Sequence, residues 1–437
     1  MSLPRYRFEW LVLVLVALGT LPLVSVVGAQ DTSRLAMTQS IVLRGHVDID
    51  PYWQLTTDRA FADGHWYSDK APGVALLAVP VVAAIHAVDG TKHIWTNSWL
   101  LWAIRLWSGG LALLALTFLV GRVAEGLVEG AGLLTAVVFA VGTMAGSLGP
   151  TMFGHLPDAL ALFAAFVVAT RAARPRDWLW VGLLAGLGVL FEYPAGLAAV
   201  ILLVYAAIRG GRWAALATVA GGIPAAIVLG GYDWIAFGAP WRLSYRYTSN
   251  VFTGEQQQNL FGVGIPSPHG VWTLLLDGHG LLLVSPVLLA ACAGLVLFWR
   301  QSRAEAALSI AIGLVFCLYT AGYFLPNGGL SPGPRFAAAA LPFLLLGLPF
   351  ALARWRVVTL VLAAVSIGVG LFDELTWSIA NRLEFLTWPA TVWSLLGLSH
   401  ELGALILLAF GAAAGLVALV ATAAGPRPGA VVHSGSL

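Results

Sequence analysis

The sequence predicts an all-α polytopic membrane protein of about 12 transmembrane helices, with further interfacial or re-entrant helices in its first external loop. Three observations carry this. The 437 residues are 59% hydrophobic and 10% charged, with a mean hydropathy of +0.86, whereas a soluble domain carries roughly a quarter charged residues. Apolar runs of spanning length recur near 10–29, 98–120, 130–148, 156–171, 177–191, 193–208, 213–232, 279–299, 306–324, 336–353, 357–372 and 402–423. Arginines stand at alternate ends of these runs, the pattern that orients membrane helices with positive charge inside.

The first run, Trp10 to Ala29, follows Arg5 and Arg7 and ends in Val27-Gly-Ala29, which resembles a cleavage site. It is long enough to span, and reads as a retained first helix. The apolar run 72–89, with Pro72 and Pro80, decides the topology. If it crossed, Arg122, Arg171, Arg174, Arg176, Arg209, Arg212, Arg300, Arg303, Arg354, Arg356 and Arg427 would all fall outside; if it turns back, all fall inside. It is therefore expected as an interfacial or re-entrant helix, with both termini cytoplasmic and a plasma (inner) membrane location. External loops follow at 30–97, 149–155, the tight turn at Glu192, 233–278, 325–335 and 373–401. Residues 1–424 form a single transmembrane domain in this reading, and 425–437 a disordered cytoplasmic tail.

Several classes are disfavoured. The net charge of +2 and the placement of Lys and Arg at helix ends speak against a nucleic-acid partner. Cys292 and Cys317 fall mid-way along apolar runs, where a lone thiol acts as a small hydrophobe. No dense Asp/Glu/His cluster suggests a metal, and no cofactor is expected.

The ionisable residues concentrate on the external side. Asp31 comes directly after the first run, and Thr32/Ser33 can cap a helix with Leu35, Met37, Ile41 and Val42 at helical spacing, expected to lie on the membrane surface. Asp31 reads either as a helix cap or as a carboxylate held for chemistry. Lys70, before Pro72-Gly73, reads as a snorkelling lysine or as a phosphate partner. His65 and Tyr67 belong to the same stretch. Asp158 and Glu192 sit near helix ends at membrane depth, where ionisable groups mark candidate sites. Arg335 follows Pro332-Gly333-Pro334 on the side where positive charge is disfavoured; its planar fork suits phosphate oxygens. Arg105 lies inside an apolar helix and needs an acidic partner.

The order Asp31-x-x-Arg34 after a spanning helix, then Tyr67-x-x-Lys70-x-Pro72 before a half-inserted helix, resembles the GT-C membrane glycosyltransferases, whose members include protein O-mannosyltransferases and lipid A aminoarabinose transferases. Further segments are similar to motifs of that group: Phe153-Gly-His155-Leu-Pro157-Asp158, Trp234-Ile-Ala-Phe-Gly238-Ala-Pro240 with Tyr245, Gly278-His-Gly280 to Ser285-Pro286, and Gly329 to Phe336 with Arg335. The resemblance implies an inverting transfer of sugar from a polyprenyl-phosphate donor to a lipid, glycan or protein acceptor at the external face of the bilayer. In it, Asp31 is the base or acceptor-orienting residue and Lys70 contacts the donor phosphate. Arg34, His65, Tyr67, His155, Asp158, Glu192, Tyr245 and Arg335 are the expected substrate-binding residues. Thr32 stands where the motif often has a second acid, so no role of a second acid is carried over. The rival class is a transporter or flippase, which usually shows internal repeats and ionisable residues near the midplane; one-sided polar loops favour the enzyme.

Overall fold

Nearly every apolar run folds as a helix whose ends fall close to the expected boundaries. The computed structural model describes residues 9–21, 28–89, 94–329, 331–379 and 402–424. In chain order the elements are α1 (Glu9–Thr20), α2 (Ala29–Arg44), a hairpin of β1 (Arg59–Ala62) and β2 (His65–Ser68), α3 (Gly73–Asp89), α4 (Ser98–Arg105), α5 (Leu111–Leu127), α6 (Gly132–Val141), α7 (Ala145–Leu148), α8 (His155–Arg171), α9 (Pro175–Phe191) and α10 (Ala195–Phe237). Short helices α11 (Thr253–Gln256), α12 (Pro268–Leu275) and α13 (Leu281–Val284) lead to α14 (Val287–Gln301), α15 (Arg303–Gly322), α16 (Leu341–Leu344), α17 (Leu348–Arg354), α18 (Arg356–Ile379) and α19 (Leu402–Ala424). Residues 380–401 and 425–437, expected as external loop and disordered tail, lie outside the described residues.

Among the described residues five helical stretches are long and apolar enough to cross a membrane: Trp99–Leu127, Ala195–Phe237, Arg303–Gly322, Arg335–Arg354 and Arg356–Glu374. Shorter apolar helices, including α1, α6 and α14, surround them. The chain is a multi-pass membrane protein. Its main core joins α5, α6, α8, α14 and the 335–354 stretch through residues such as Leu134, Phe139, Phe163, Phe298 and Phe343. Helix α9 lies along α10 so closely that a methyl at Gly182 would collide with the Thr218 carbonyl.

Three features differ from expectation. Helix α2 begins one turn earlier than Thr32/Ser33: Gly28 is its cap residue, and the Thr32 hydroxyl donates back to the Gly28 carbonyl at 3.0 Å. Nor does α2 present an exposed polar face, because Gln30 to Ser40 are all buried. Leu35 packs with Val74, Ala78 and Ile104 on one side, while Ala36 and Met37 pack with Ile49, Ala60 and Tyr67 on the other. By contrast, the expected pair 193–208 and 213–232 is present: α10 is two helices that meet at Gly211, whose φ of 73° only glycine adopts freely. The hairpin was not expected: Asp63 (φ 49°) and Gly64 (φ 86°) make the left-handed two-residue turn that Asp-Gly favours.

Candidate functional site

Asp31 lies in the first turn of α2 and is 2% exposed. Its Oδ2 accepts from Arg105 Nη2 at 2.8 Å and its Oδ1 from the Met152 N–H at 2.6 Å. Arg105 thus finds the acidic partner that its apolar setting demands. The helix path explains why. A π turn at Leu106–Gly110 joins α4 to α5, and at Gly109 the carbonyls of Gly149 and Thr151 come so close that a Cβ would strike them. The 149–152 backbone is thereby brought to Asp31.

One turn further along α2, Arg34 Nη1 donates to Gln30 Oε1 at 2.8 Å and Nη2 meets Glu192 Oε1 at 2.5 Å. Glu192 is the C-cap residue of α9, in extended conformation, so its carboxyl turns inward and not along the helix. His155, opening α8, places Nδ1 3.9 Å from the same Glu192 oxygen. Gly154 is in the gap, where a side chain would run into Glu192. Asp158, one turn on, lies within the electrostatic reach of Glu192 and Arg34.

Arg335 completes this side. Its guanidinium carbon is 5.3 Å from the ring centroids of Phe153 and of Phe336, a cation held against aromatic faces. No carboxylate among the described residues comes within ion-pairing distance of it, and its Nε has no hydrogen-bond partner among them. His155 Nε2 and Asp158 Oδ1 are likewise buried without partners among the described residues. His155 also lies in the field of Arg335, Arg34 and Lys70.

The hairpin sets Lys70. Asp58 precedes β1, Asp69 and Lys70 follow β2, and Lys70 Nζ stands 3.0 Å from Asp58 Oδ2 and 3.1 Å from Asp69 Oδ1. Three hydroxyls pin the strand end: Ser33 to Ser68 at 2.7 Å, Tyr232 to the Ser68 carbonyl at 3.3 Å, and Ser244 to the Asp69 carbonyl at 2.8 Å. Burial opposes the charge of Lys70, but Asp58 and Asp69 outweigh it and hold the ammonium above the usual lysine range. Burial pushes Asp69 up to about 6, against the pull of Lys70 and with the repulsion of Asp58. Aromatic rings wall the cluster. Tyr245 meets Tyr193 edge-on at 5.0 Å, and Phe336 meets Tyr323 at 4.8 Å and His155 at 5.5 Å.

Of the ten residues singled out from sequence, eight are therefore near one another: Asp31, Arg34, Lys70, His155, Asp158, Glu192, Tyr245 and Arg335. His65 and Tyr67 are not brought there. His65 is exposed on β2 and pairs with Asp50 at 2.7 Å, which raises its pKa through that hydrogen bond. Tyr67 packs into the apolar cluster with Ala60 and Phe237. Both His65 and Tyr67 lie within β2, whereas Lys70 lies beyond its end. Sequence reasoning missed Asp58 and Asp69 as partners of Lys70, and Tyr193, Tyr319, Tyr323 and Phe336 as wall. The Asp63-Gly64 turn was the available signal, since pairing across it carries Asp58 back to Asp69. Among the described residues no three His, Cys, Asp or Glu side chains gather as a metal-binding group.

No protein-family model matches this chain, and no curated protein matches it significantly. Solved structures do. ArnT from Cupriavidus metallidurans in the apo state aligns with a TM-score of 0.51 at 12% identity, over 95% of this chain and 75% of that one. The Archaeoglobus fulgidus oligosaccharyltransferase gives 0.49 at 14% identity, over 96% of this chain and 57% of that one. Arabinosyltransferase EmbB from Mycobacterium smegmatis gives 0.46 at 12%, over 96% and 41%. At such identities a likeness speaks for fold alone, and the ArnT alignment carries it. The chain shares the fold of the GT-C membrane glycosyltransferases that its sequence resembles.

Proposed function

We propose that this protein is a glycosyltransferase that moves a sugar from a polyprenyl-phosphate donor to an acceptor at the outer face of the membrane, with inversion. The observation that carries the reading is that Lys70 and Arg335, far apart in sequence, both act electrostatically on His155 and Tyr323, beside the Arg34–Glu192 pair and buried polar atoms without partners among the described residues. Two cations next to unsatisfied groups suit a phosphodiester.

In this reading the bond between the anomeric carbon and the phosphate oxygen breaks, and its electron pair leaves with the phosphate. Lys70 and Arg335 stabilise the charge that grows there, more strongly in the transition state than in the bound donor. The acceptor hydroxyl oxygen forms the new bond to the opposite face of the anomeric carbon, and its proton passes to Asp31. Arg105 and the Met152 N–H occupy one acceptor position on each Asp31 oxygen, which leaves lone pairs for the hydroxyl. An apolar groove of about 410 Å³ beside Ile227, Gly230, Trp234 and Pro240, toward the end of α10 that lies nearest the site, offers space for a prenyl chain.

The test is to incubate membranes bearing the protein with a panel of polyprenyl-phosphate sugars and follow release of polyprenyl phosphate. Release from one donor, absent in Asp31→Asn at equal expression, supports the reading. No release from any donor, together with donor translocation across proteoliposomes, would replace the enzyme with a flippase.

A further inference from the structure

The ends of α8, α9 and α10 remote from the candidate site enclose a second and chemically different cavity. Helix α8 runs 17 residues from His155 to Arg171, about 25 Å at 1.5 Å per residue. Helix α9 returns from Pro175 to deliver Glu192, and α10 leaves again from Ala195 to the break at Gly211. Between the α8–α9 turn and that break lies a cavity of about 260 Å³, lined by Thr170, Arg174, Pro175, Trp178, Arg209 and Trp213.

Its walls suit an anion. Arg174 and Arg209 line it, and Arg171, Arg176 and Arg212 lie within three residues of them in sequence, against one acid, Asp177. That acid is already engaged, since its Oδ2 accepts the N–H groups of Ala173 at 2.9 Å and Arg174 at 2.8 Å. Glu305 of α15, which reaches Tyr205 electrostatically, does not line the cavity. Pro175 opens α9 at the cavity wall, so the positive end of a 17-residue helix adds to the guanidinium charge. Gly210 lines the cavity and fits closely there: a methyl would strike Ala214 and press on the Trp178 indole. From the rim, Trp213, Leu216, Ile223 and Ile227 follow one another along α10 at helical spacing, all exposed and apolar.

We propose that this cavity binds the phosphate of an anionic lipid headgroup, with Arg174, Arg209 and the start of α9 as its recognition elements and the acyl chains along the α10 stripe. Basic pockets between membrane helices bind such headgroups by the same chemistry. The site is one helix length from Lys70 and Arg335, so it is separate from the donor phosphate.

Purified full-length protein in neutral detergent is titrated with dioctanoyl phosphatidylglycerol, dioctanoyl phosphatidylcholine or sodium phosphate, reading lipid adducts by native mass spectrometry and the thermal midpoint in parallel. Phosphatidylglycerol is expected to form adducts and raise the midpoint, and Arg174→Gln/Arg209→Gln to weaken that binding about 10-fold. Arg300→Gln, a basic residue away from the cavity, is expected to bind as wild type. Should the double variant melt early without ligand, Arg209→Glu alone replaces it, and is expected to lose the adduct. If sodium phosphate stabilises as strongly as the lipid, and the double variant abolishes this, the phosphate site stands and the lipid assignment falls. Equal binding of phosphatidylcholine, or phosphatidylglycerol binding unchanged in both variants, overturns the proposal.

Discussion

Two buried charge clusters sit at the same end of this molecule and differ in how their polar atoms are used. In the first, Asp31 and Arg105 close on each other and the Met152 N–H takes the remaining carboxylate oxygen. In the second, His155 Nε2, Asp158 Oδ1 and Arg335 Nε are buried with no partner among the described residues. Buried polar groups in folded proteins are normally satisfied, so the contrast is informative. The first cluster fixes helix α2 against α4 and the 149–152 segment and holds its carboxylate in one orientation. The second is arranged for groups that a substrate brings. The difference points to a positioning role for Arg105 through Asp31, and to a role for Arg335 in contact with the donor.

The contrast breaks most visibly at Arg105. Arg105→Leu leaves a buried carboxylate without its cation, a loss of about 3–5 kcal/mol, and is expected to lower the thermal midpoint of the detergent-solubilised protein and to abolish transfer. Arg335→Ala should do the opposite: transfer falls about 10²- to 10³-fold while the midpoint stays near wild type. Arg335→Lys is expected to recover only part of that activity, because a point charge replaces a planar fork. If these two variants melt as early as Arg105→Leu, the second cluster is structural as well.

A smaller effect sharpens the picture through pH. Asp69 titrates at about 6 in the folded chain, above the roughly 3.9 of an unfolded aspartate. The folded state therefore holds this proton more tightly, and the contribution of Asp69 to folding declines as pH rises from about 4 to about 6. Above that window its carboxylate competes with a phosphodiester for Lys70. Donor affinity is expected to rise about 3- to 10-fold as pH falls through 6, and Asp69→Asn to show the higher affinity at every pH. A wild-type titration that stays flat between pH 5 and 8 would remove Asp69 from the site. The smallest effect belongs to the exposed His65–Asp50 pair: His65→Ala should leave the thermal midpoint near wild type and transfer within about twofold.

Much of this was legible in the sequence because membrane helices obey a simple rule. Long apolar runs announce themselves, so the runs of α8, α9, α15 and α19 lie within a few residues of the helices observed. The site was legible where motif residues sit at helix starts, as with Asp31, His155 and Arg335. It failed where pairing is across space. Nothing local joins Asp58 to Lys70 except the Asp63-Gly64 turn, and Tyr67 packs into an apolar cluster. The placement of α2 failed for a related reason. A helix covered on two sides by separate apolar clusters needs no polar face, and a periodicity reading assumes one.

The central claim is that Lys70 and Arg335 grip one phosphate. A double-mutant cycle on the dissociation constant of a polyprenyl phosphate, measured in nanodiscs for wild type, Lys70→Ala, Arg335→Ala and the double variant, tests it most directly. Each single substitution is expected to weaken binding about 10-fold or more, with the double variant departing from additivity by at least about 0.5 kcal/mol. Single effects below twofold would contradict it, as would additive effects showing that the two cations do not share a ligand.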